Sequence, residues 1–107
     1  MDERPIREDE IEAFVKRGFR RYNPDNIDRL YINSRNLGLD CAFYDSGNVK
    51  YAEFNGEQIS NGRAKEMRSA KTYVDVKTGR VFGDRKFPEL KRACEELVKE
   101  ILLEIGG

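Results

Sequence analysis

The sequence predicts an α+β domain in which an antiparallel sheet, made of a three-stranded meander and a hairpin, is packed by two long amphipathic helices. Apolar residues recur at helical spacing near both ends of the chain, whereas between positions 39 and 82 they alternate with polar residues and turn signals. A length of 107 residues fits one domain. The expected order of elements is α-α-β-β-β-α-β-β-α, after a short flexible N-terminus of about six residues.

The first helix is indicated by large apolar side chains that fall on one helical stripe: Ile11, Phe14, Val15, Phe19 and Tyr22. Acidic residues lie before this stripe and basic residues lie near its end, which is the order that the helix dipole favours. Pro24 should end the helix, because the residue before a proline is pushed out of the helical region.

The next segment, residues 24–36, allows two interpretations. Asn23 could cap a short helix that has Pro24 at its first position and ends at Gly38, which suits a left-handed terminator. Leu30 to Ser34 could instead form a strand. The capping and terminating residues favour the helix.

A meander is predicted from Leu39 onward, where the apolar period changes to two. Strands at 39–44, 49–54 and 57–60 would pair in sequence order. Asn55-Gly56 is the strongest turn signal, since both residues tolerate the positive φ of a tight hairpin.

A short helix and a second hairpin should follow the meander. Ser60 or Asn61 could cap a helix that reaches Lys71, and Ala64 and Met67 would face inward. Beyond it, strands at 72–76 and 80–82 would flank a Lys-Thr-Gly turn.

The last helix begins at Pro88 and is ended by the Gly106-Gly107 pair. Its apolar residues share one face: Leu90, Cys94, Leu97, Val98, Ile101, Leu102 and Ile105.

Composition limits the chemistry. Twenty Lys and Arg balance twenty Asp and Glu, so the net charge is zero and no bulk attraction to nucleic acid or anionic membrane is expected. The chain has no His, the side chain most often used as a general base, and no glycine-rich phosphate loop. Cys41 and Cys94 occupy apolar positions and are predicted to be buried thiols, so neither a metal nor a cofactor is expected.

The expected location is cytoplasmic, without a membrane partner. No secretory signal opens the sequence, and its longest purely apolar run is Ile101-Leu102-Leu103.

A metal-dependent nuclease is one catalytic alternative. Asp75-Val76-Lys77 matches the half of such a site in which a carboxylate binds Mg²⁺ and a lysine positions the attacking water; Asp40, Asp45 and Glu53 could provide the other carboxylates. The predicted helix 61–71 separates the two halves, and a three-residue match is weak. An enzyme is therefore not expected, and the nuclease is a remote alternative.

The function that the sequence favours is a non-enzymatic interaction module. Dense mixed charge, candidate exposed tyrosines and the lack of a catalytic set are typical of a domain that docks to a protein or nucleoprotein complex, as an inhibitor or adaptor. Inhibitors encoded by phages and mobile elements, anti-CRISPR proteins among them, share this general build without a shared motif. The expected contact surface joins the basic end of the first helix with the meander and the 61–71 helix: Arg17, Arg20, Arg21, Arg63, Arg68 and Tyr51.

Nucleic acid is the alternative partner. Basic residues on the polar faces of the first helix and of the 61–71 helix could contact phosphates: Lys16, Arg17, Arg20, Arg21, Arg63, Lys65, Arg68 and Lys71. The balanced net charge weakens this alternative. A homodimer is a further possibility.

Overall fold

The computed structural model describes residues 3–106 and shows an α+β fold with antiparallel sheets, which confirms the predicted class. Its helices are α1 (Ile11–Lys16), α2 (Asn61–Ser69) and α3 (Pro88–Gly106), and 3₁₀ helices lie at Glu8–Glu10 and Ser34–Leu37. Its strands are β1 (Arg20–Tyr22), β2 (Arg29–Ile32), β3 (Leu39–Phe43), β4 (Val49–Phe54), β5 (Glu57–Gln58), β6 (Thr72–Asp75) and β7 (Val81–Phe82).

The strands form two antiparallel sheets. One has the order β1-β2-β6-β7, and the meander β3-β4-β5 forms the other. The meander and the β6–β7 hairpin are therefore both present as predicted, but they lie in different sheets. The hairpin is extended by β2 and β1, which come from segments that the sequence assigned to helices.

The first helix is shorter than predicted. It ends at Lys16, and residues 20–22 form β1. Gly18 has φ 104°, a left-handed conformation that ends a helix. Directly after this turn the buried ring of Phe19 packs edge-on against Phe14, with ring centroids 5.3 Å apart. Of the predicted stripe, Ile11, Phe14 and Phe19 are buried, whereas Val15 and Tyr22 are exposed. Helix α1 has 6 residues and α3 has 19.

The prediction of a helix in residues 24–36 is wrong, and the alternative strand is correct, with bounds Arg29–Ile32. Strand β2 pairs with β1 on one side and β6 on the other, so its backbone hydrogen bonds are satisfied across the sheet. Leu30 and Ile32 are buried on its inner face, which is the period of two expected for a strand. Gly38 ends the following 3₁₀ helix at φ 116°, as the sequence predicted for a terminator.

The remaining elements follow the predictions closely. Ser60 caps α2 by accepting a hydrogen bond from the Arg63 backbone N–H, and Ala64 and Met67 are buried on its inner side. Helix α3 buries Leu90, Cys94, Val98 and Ile101. The last residue of the predicted Gly106-Gly107 terminator lies outside the described residues.

The N-terminal segment belongs to the packed fold from Arg4 onward, although the sequence predicted about six flexible residues. The Arg4 guanidinium makes two hydrogen bonds to the Glu10 carboxylate, at 2.8 and 2.7 Å. Ile6 is buried, and its N–H donates to the Val76 carbonyl just beyond β6. Met1 and Asp2 lie outside the described residues.

Both thiols are buried, as predicted. Burial raises the pKa of Cys94 to about 12, so it stays a neutral thiol at physiological pH. Among the described residues, no helix has the length and apolar character that crossing a membrane requires.

Candidate functional site

Three of the arginines predicted to contact a partner are held by carboxylates of the same chain: Arg17 by Glu100 and Glu104, Arg21 by Glu8 and Asp28, and Arg63 by Glu89. The hydrogen bonds to Asp28 and Glu8 hold the pKa of Arg21 above its usual range. Guanidinium groups that are already neutralised this way attract a further anion weakly, because the neighbouring carboxylates repel it.

The other predicted residues lie apart from one another. Arg68 of α2 packs over the ring of Phe43, 4.2 Å from its centroid. Tyr51 lies on the meander and donates a 3.1 Å hydrogen bond to Asp40, which raises the pKa of the phenol. Arg20 lies in β1 with its side chain exposed. The structure therefore brings only Arg20 and Arg21 together, at the edge of the four-stranded sheet.

The outward side of the four-stranded sheet carries a surface that the sequence did not predict as a unit. The alternate residues of its strands, Leu30, Val74 and Val81, are buried in the core. We call the outward-facing set the aromatic face: Arg20, Tyr22, Arg29, Tyr31, Lys71, Tyr73, Asp75, Arg80 and Phe82. Register places four of these residues in one row across the strands, because Arg20 pairs with Tyr31, Tyr31 with Tyr73, and Tyr73 with Phe82.

The rings of the aromatic face contact one another across every strand boundary. Ring centroids are 6.1 Å apart for Tyr22 and Tyr31, 5.1 Å for Tyr31 and Tyr73, and 5.2 Å for Tyr73 and Phe82. Such cross-strand aromatic pairs stabilise a sheet and fix its side chains. The result is a continuous row of rings from one edge of the sheet to the other.

Cations flank this row of rings. The Arg29 guanidinium lies 4.4 Å from the centroid of Tyr73 and donates to the Tyr31 hydroxyl at 3.0 Å. Arg80 lies 5.8 Å from the centroid of Phe82. Across residues 3–106, the salt bridges include none made by these two arginines or by Arg20 and Lys71. Their charges are therefore available to a ligand.

A groove of about 630 Å³ lies along the part of the sheet formed by β1, β2 and the beginning of β6. Four cationic side chains line it, Arg20, Arg21, Arg29 and Lys71, and its described lining includes no carboxylate. Thr72 also borders the groove; its side chain is fully buried, and its hydroxyl has no hydrogen-bond partner among the described residues. The electrostatic character of this groove is positive, in a chain whose net charge is zero.

The residues considered for a nuclease do not converge. Asp75 ends β6, where its carboxylate accepts the Lys77 backbone N–H at 3.0 Å, and the Lys77 ammonium donates to the Asn26 carbonyl at 2.9 Å. Asp40 and Glu53 pair with each other in the separate meander sheet. Within residues 3–106 no group of three or more Cys, Asp or Glu side chains is placed to hold a metal ion.

The sequence pattern that could have indicated the aromatic face is the alternation of buried apolar residues with outward-facing rings in three short strands. Tyr31, Tyr73 and Phe82 each lie next to an apolar residue in such a strand, and the tyrosines predicted as candidates for exposure were Tyr44, Tyr51 and Tyr73. Assigning residues 20–22 and 29–32 to helices hid the pairing that aligns them. No protein-family model, no curated protein and no solved structure matches the chain.

Proposed function

We propose that this protein is a non-enzymatic nucleic-acid-binding module and that it binds through the aromatic face. Nucleic acid was the alternative partner predicted from the sequence, but on the basic helix faces. We place the binding surface on the four-stranded sheet instead. The observation that carries it is a positive groove, lined by Arg20, Arg29 and Lys71, beside an unbroken row of aromatic rings.

The distribution of charge supports phosphate as the group recognised. Arginine and lysine supply most phosphate contacts in nucleic-acid complexes, and an exposed cation without a carboxylate partner is the kind that can make them. Three arginines predicted as contact residues, Arg17, Arg21 and Arg63, are neutralised by Glu8, Asp28, Glu89, Glu100 and Glu104. The cations of the aromatic face are not, so a zero net charge does not prevent local binding of a polyanion.

Charge reversal within the groove tests this proposal. We expect Arg20→Glu and Lys71→Glu each to lower the affinity for fluorescently labelled oligonucleotides at least about tenfold, because each removes one phosphate contact and adds a repulsive charge. Fluorescence anisotropy at low salt measures the affinity. Raising the salt should weaken wild-type binding. For each tenfold rise in salt concentration, log K should fall by about 0.7 per phosphate contact on a single strand and by about 0.9 per contact on duplex DNA.

Lys50→Glu is the matched control, because Lys50 is exposed on β4 of the other sheet and the substitution changes the charge equally. We expect its affinity to stay within about twofold of wild type. Equal losses in Lys50→Glu and in the groove variants, or no binding of any oligonucleotide by the wild-type protein, would refute the proposal.

A protein partner is a second candidate, favoured by one observation on the meander. Tyr44 and Tyr51 are exposed there, and tyrosine is enriched at the centres of protein interfaces. That the partner is a protein or nucleoprotein complex, that the chain acts as an inhibitor or adaptor of the phage or anti-CRISPR kind, and that it is cytoplasmic remain predictions from the sequence.

A further inference from the structure

We infer that the nucleic acid bound by the aromatic face is single-stranded, and that unpaired bases stack on Tyr22 at one end of the ring row and on Phe82 at the other. This inference rests on the proposed function and adds the class of nucleic acid and the residues that recognise its bases.

The two terminal rings are the accessible ones. Tyr31 and Tyr73 each have aromatic neighbours on both sides, and Arg29 packs over Tyr73. Tyr22 and Phe82 have a ring neighbour on one side only, and they are 53% and 37% exposed. Arg80 lies 5.8 Å from the centroid of Phe82, farther than Arg29 from Tyr73, and its exposed side chain would have to move aside for a base on that side of the ring. A base can therefore add to either end of the row and continue the aromatic contacts there.

Stacking on a ring requires a base whose face is open. In a duplex each base face is covered by the next base pair, and a protein meets the base edges and the phosphates. In a single strand the bases can turn out and stack on aromatic side chains, irrespective of sequence. A surface that offers rings and cations together, as this one does, therefore fits a single strand better than a duplex.

The spacing of the two rings fits a short stretch of one strand. Tyr22 lies in β1 and Phe82 in β7, so three strand spacings of about 4.8 Å place them about 14 Å apart across the sheet. A chain bound at both rings must cross the strands, and the groove with its cations Arg20, Arg29 and Lys71 covers the β1, β2 and early β6 part of this path. The footprint is then a few nucleotides, near the lower end of known single-strand site sizes of about 4 to 16.

The carboxylate on the aromatic face indicates which side of the ring row the phosphates follow. Asp75 lies opposite Arg29 in the register, and among the described residues it forms no salt bridge with a cation of the face. Its negative charge disfavours phosphates on that side. Lys71 lies on the other side of Tyr73 and lines the groove, so the backbone of the bound strand runs over Lys71 and Arg20 while the bases turn towards the rings.

The experiment compares ring removal with ring retention. Labelled oligonucleotides of about 12 nucleotides, one DNA and one RNA, are titrated by anisotropy, each as a single strand and as the corresponding duplex. We expect Tyr22→Ala and Phe82→Ala each to weaken single-strand binding by about 5- to 150-fold, the usual loss when one stacked base is released. Tyr22→Phe keeps the ring and should retain more of the single-strand affinity than Tyr22→Ala. Tyr51→Ala is the matched control, because it removes a similarly exposed ring from the meander, and it should bind within about twofold of wild type. The two single strands show whether RNA or DNA is preferred.

A second measurement identifies the stacked residues directly. Photocrosslinking with 5-iodouracil in the single strand should label the peptides that contain Tyr22 and Phe82. The inference is overturned if the duplex binds as tightly as the single strand, or if both alanine variants bind like wild type while Arg20→Glu does not. In that case the face binds phosphates alone, and the proposed function survives. Failure of every oligonucleotide to bind would instead overturn the proposed function itself.

Discussion

The two sheets of this molecule have the same construction but opposite outer surfaces. Both are antiparallel, and both bury apolar residues on one side. The four-stranded sheet presents aromatic rings and unpaired cations outward. The meander pairs Asp40 with Glu53, and its Tyr51 hydroxyl is bound to Asp40. Arg29 and Arg80 thus lie beside rings on one sheet and two carboxylates lie opposite each other on the other, a difference that the overall charge of zero does not reveal.

The hairpin turns of the two sheets also differ, and this difference leads to the largest effect we expect on stability. Gly79 in the β6–β7 turn and Gly56 in the β4–β5 turn both have positive φ, 77° and 84°. A Cβ on Gly79 would lie 1.8 Å from the Arg4 carbonyl oxygen, whereas a Cβ on Gly56 would meet nothing within 4 Å. The N-terminal segment crosses the first turn and leaves the second one open.

We expect Gly79→Ala to lower the free energy of unfolding by about 4 kcal/mol, from the left-handed backbone and the displacement of the Arg4 main chain together. Gly56→Ala carries only the backbone cost, about 1 to 2 kcal/mol. Urea unfolding followed by circular dichroism measures both. Equal losses in the two variants would show that the N-terminal segment does not rest on the β6–β7 turn.

Sequence reasoning succeeded where local signals and tertiary packing agree. The Asn55-Gly56 turn, the Ser60 cap and the apolar face of α3 are local patterns with one structural solution, and all three are confirmed. Residues 11–22 have apolar side chains at helical spacing, but the helix ends before Gly18, and residues 20–22 pair with β2 as a strand. A local pattern cannot reveal which distant strand will pair, because the pairing of β2 with β6 joins residues about 40 positions apart.

The candidate site was missed for the same reason. Its rings come from four strands, two of which the sequence assigned to helices, so their row exists only after pairing. Arg20 was predicted as a contact residue and belongs to the aromatic face, whereas Arg17 and Arg63 have partners that no local pattern indicates. The sequence shows which residues are cationic, but only the fold shows which of these cations are paired with carboxylates.

Acid should weaken the attachment of the N-terminal segment, which the meander lacks. The buried Glu10 carboxylate is 1% exposed, and its hydrogen bonds to Arg4, followed by the one from the Arg7 backbone, lower its pKa from 4.5 to about 2. Because the pKa of Glu10 is lower in the folded than in the unfolded chain, the ionised carboxylate stabilises the fold at pH values above about 4.5. This stabilisation is lost as the pH falls from about 4.5 towards about 2. The contribution at neutral pH is about 3 kcal/mol.

Glu10→Gln should remove this contribution, since a neutral amide cannot form the ion pair with Arg4. Urea unfolding at neutral pH and near pH 3 should show a large difference between wild type and variant at the higher pH and a smaller one at the lower pH. Glu57→Gln is the control, because Glu57 is exposed on β5 and should change stability by less than about 0.5 kcal/mol. A constant difference between Glu10→Gln and wild type at both pH values would contradict the linkage.

The smallest effect that we predict concerns the inner faces of the two sheets. The meander pairs Cys41 with Ala52 there, whereas the four-stranded sheet pairs Ile32 with Thr72, whose buried hydroxyl has no partner among the described residues. An unsatisfied buried hydroxyl costs free energy that an apolar group of the same shape does not. We therefore expect Thr72→Val to raise the free energy of unfolding by about 1 kcal/mol.

Ser34→Ala is the matched comparison for Thr72→Val, because the buried Ser34 hydroxyl donates to the Met67 carbonyl at 2.7 Å. Its removal should lower stability by about 1 kcal/mol, so the two variants should change stability in opposite directions. Thermal or urea unfolding measures the signs. A loss of stability in Thr72→Val would contradict this prediction, because it would show that the hydroxyl has a hydrogen-bond partner in solution.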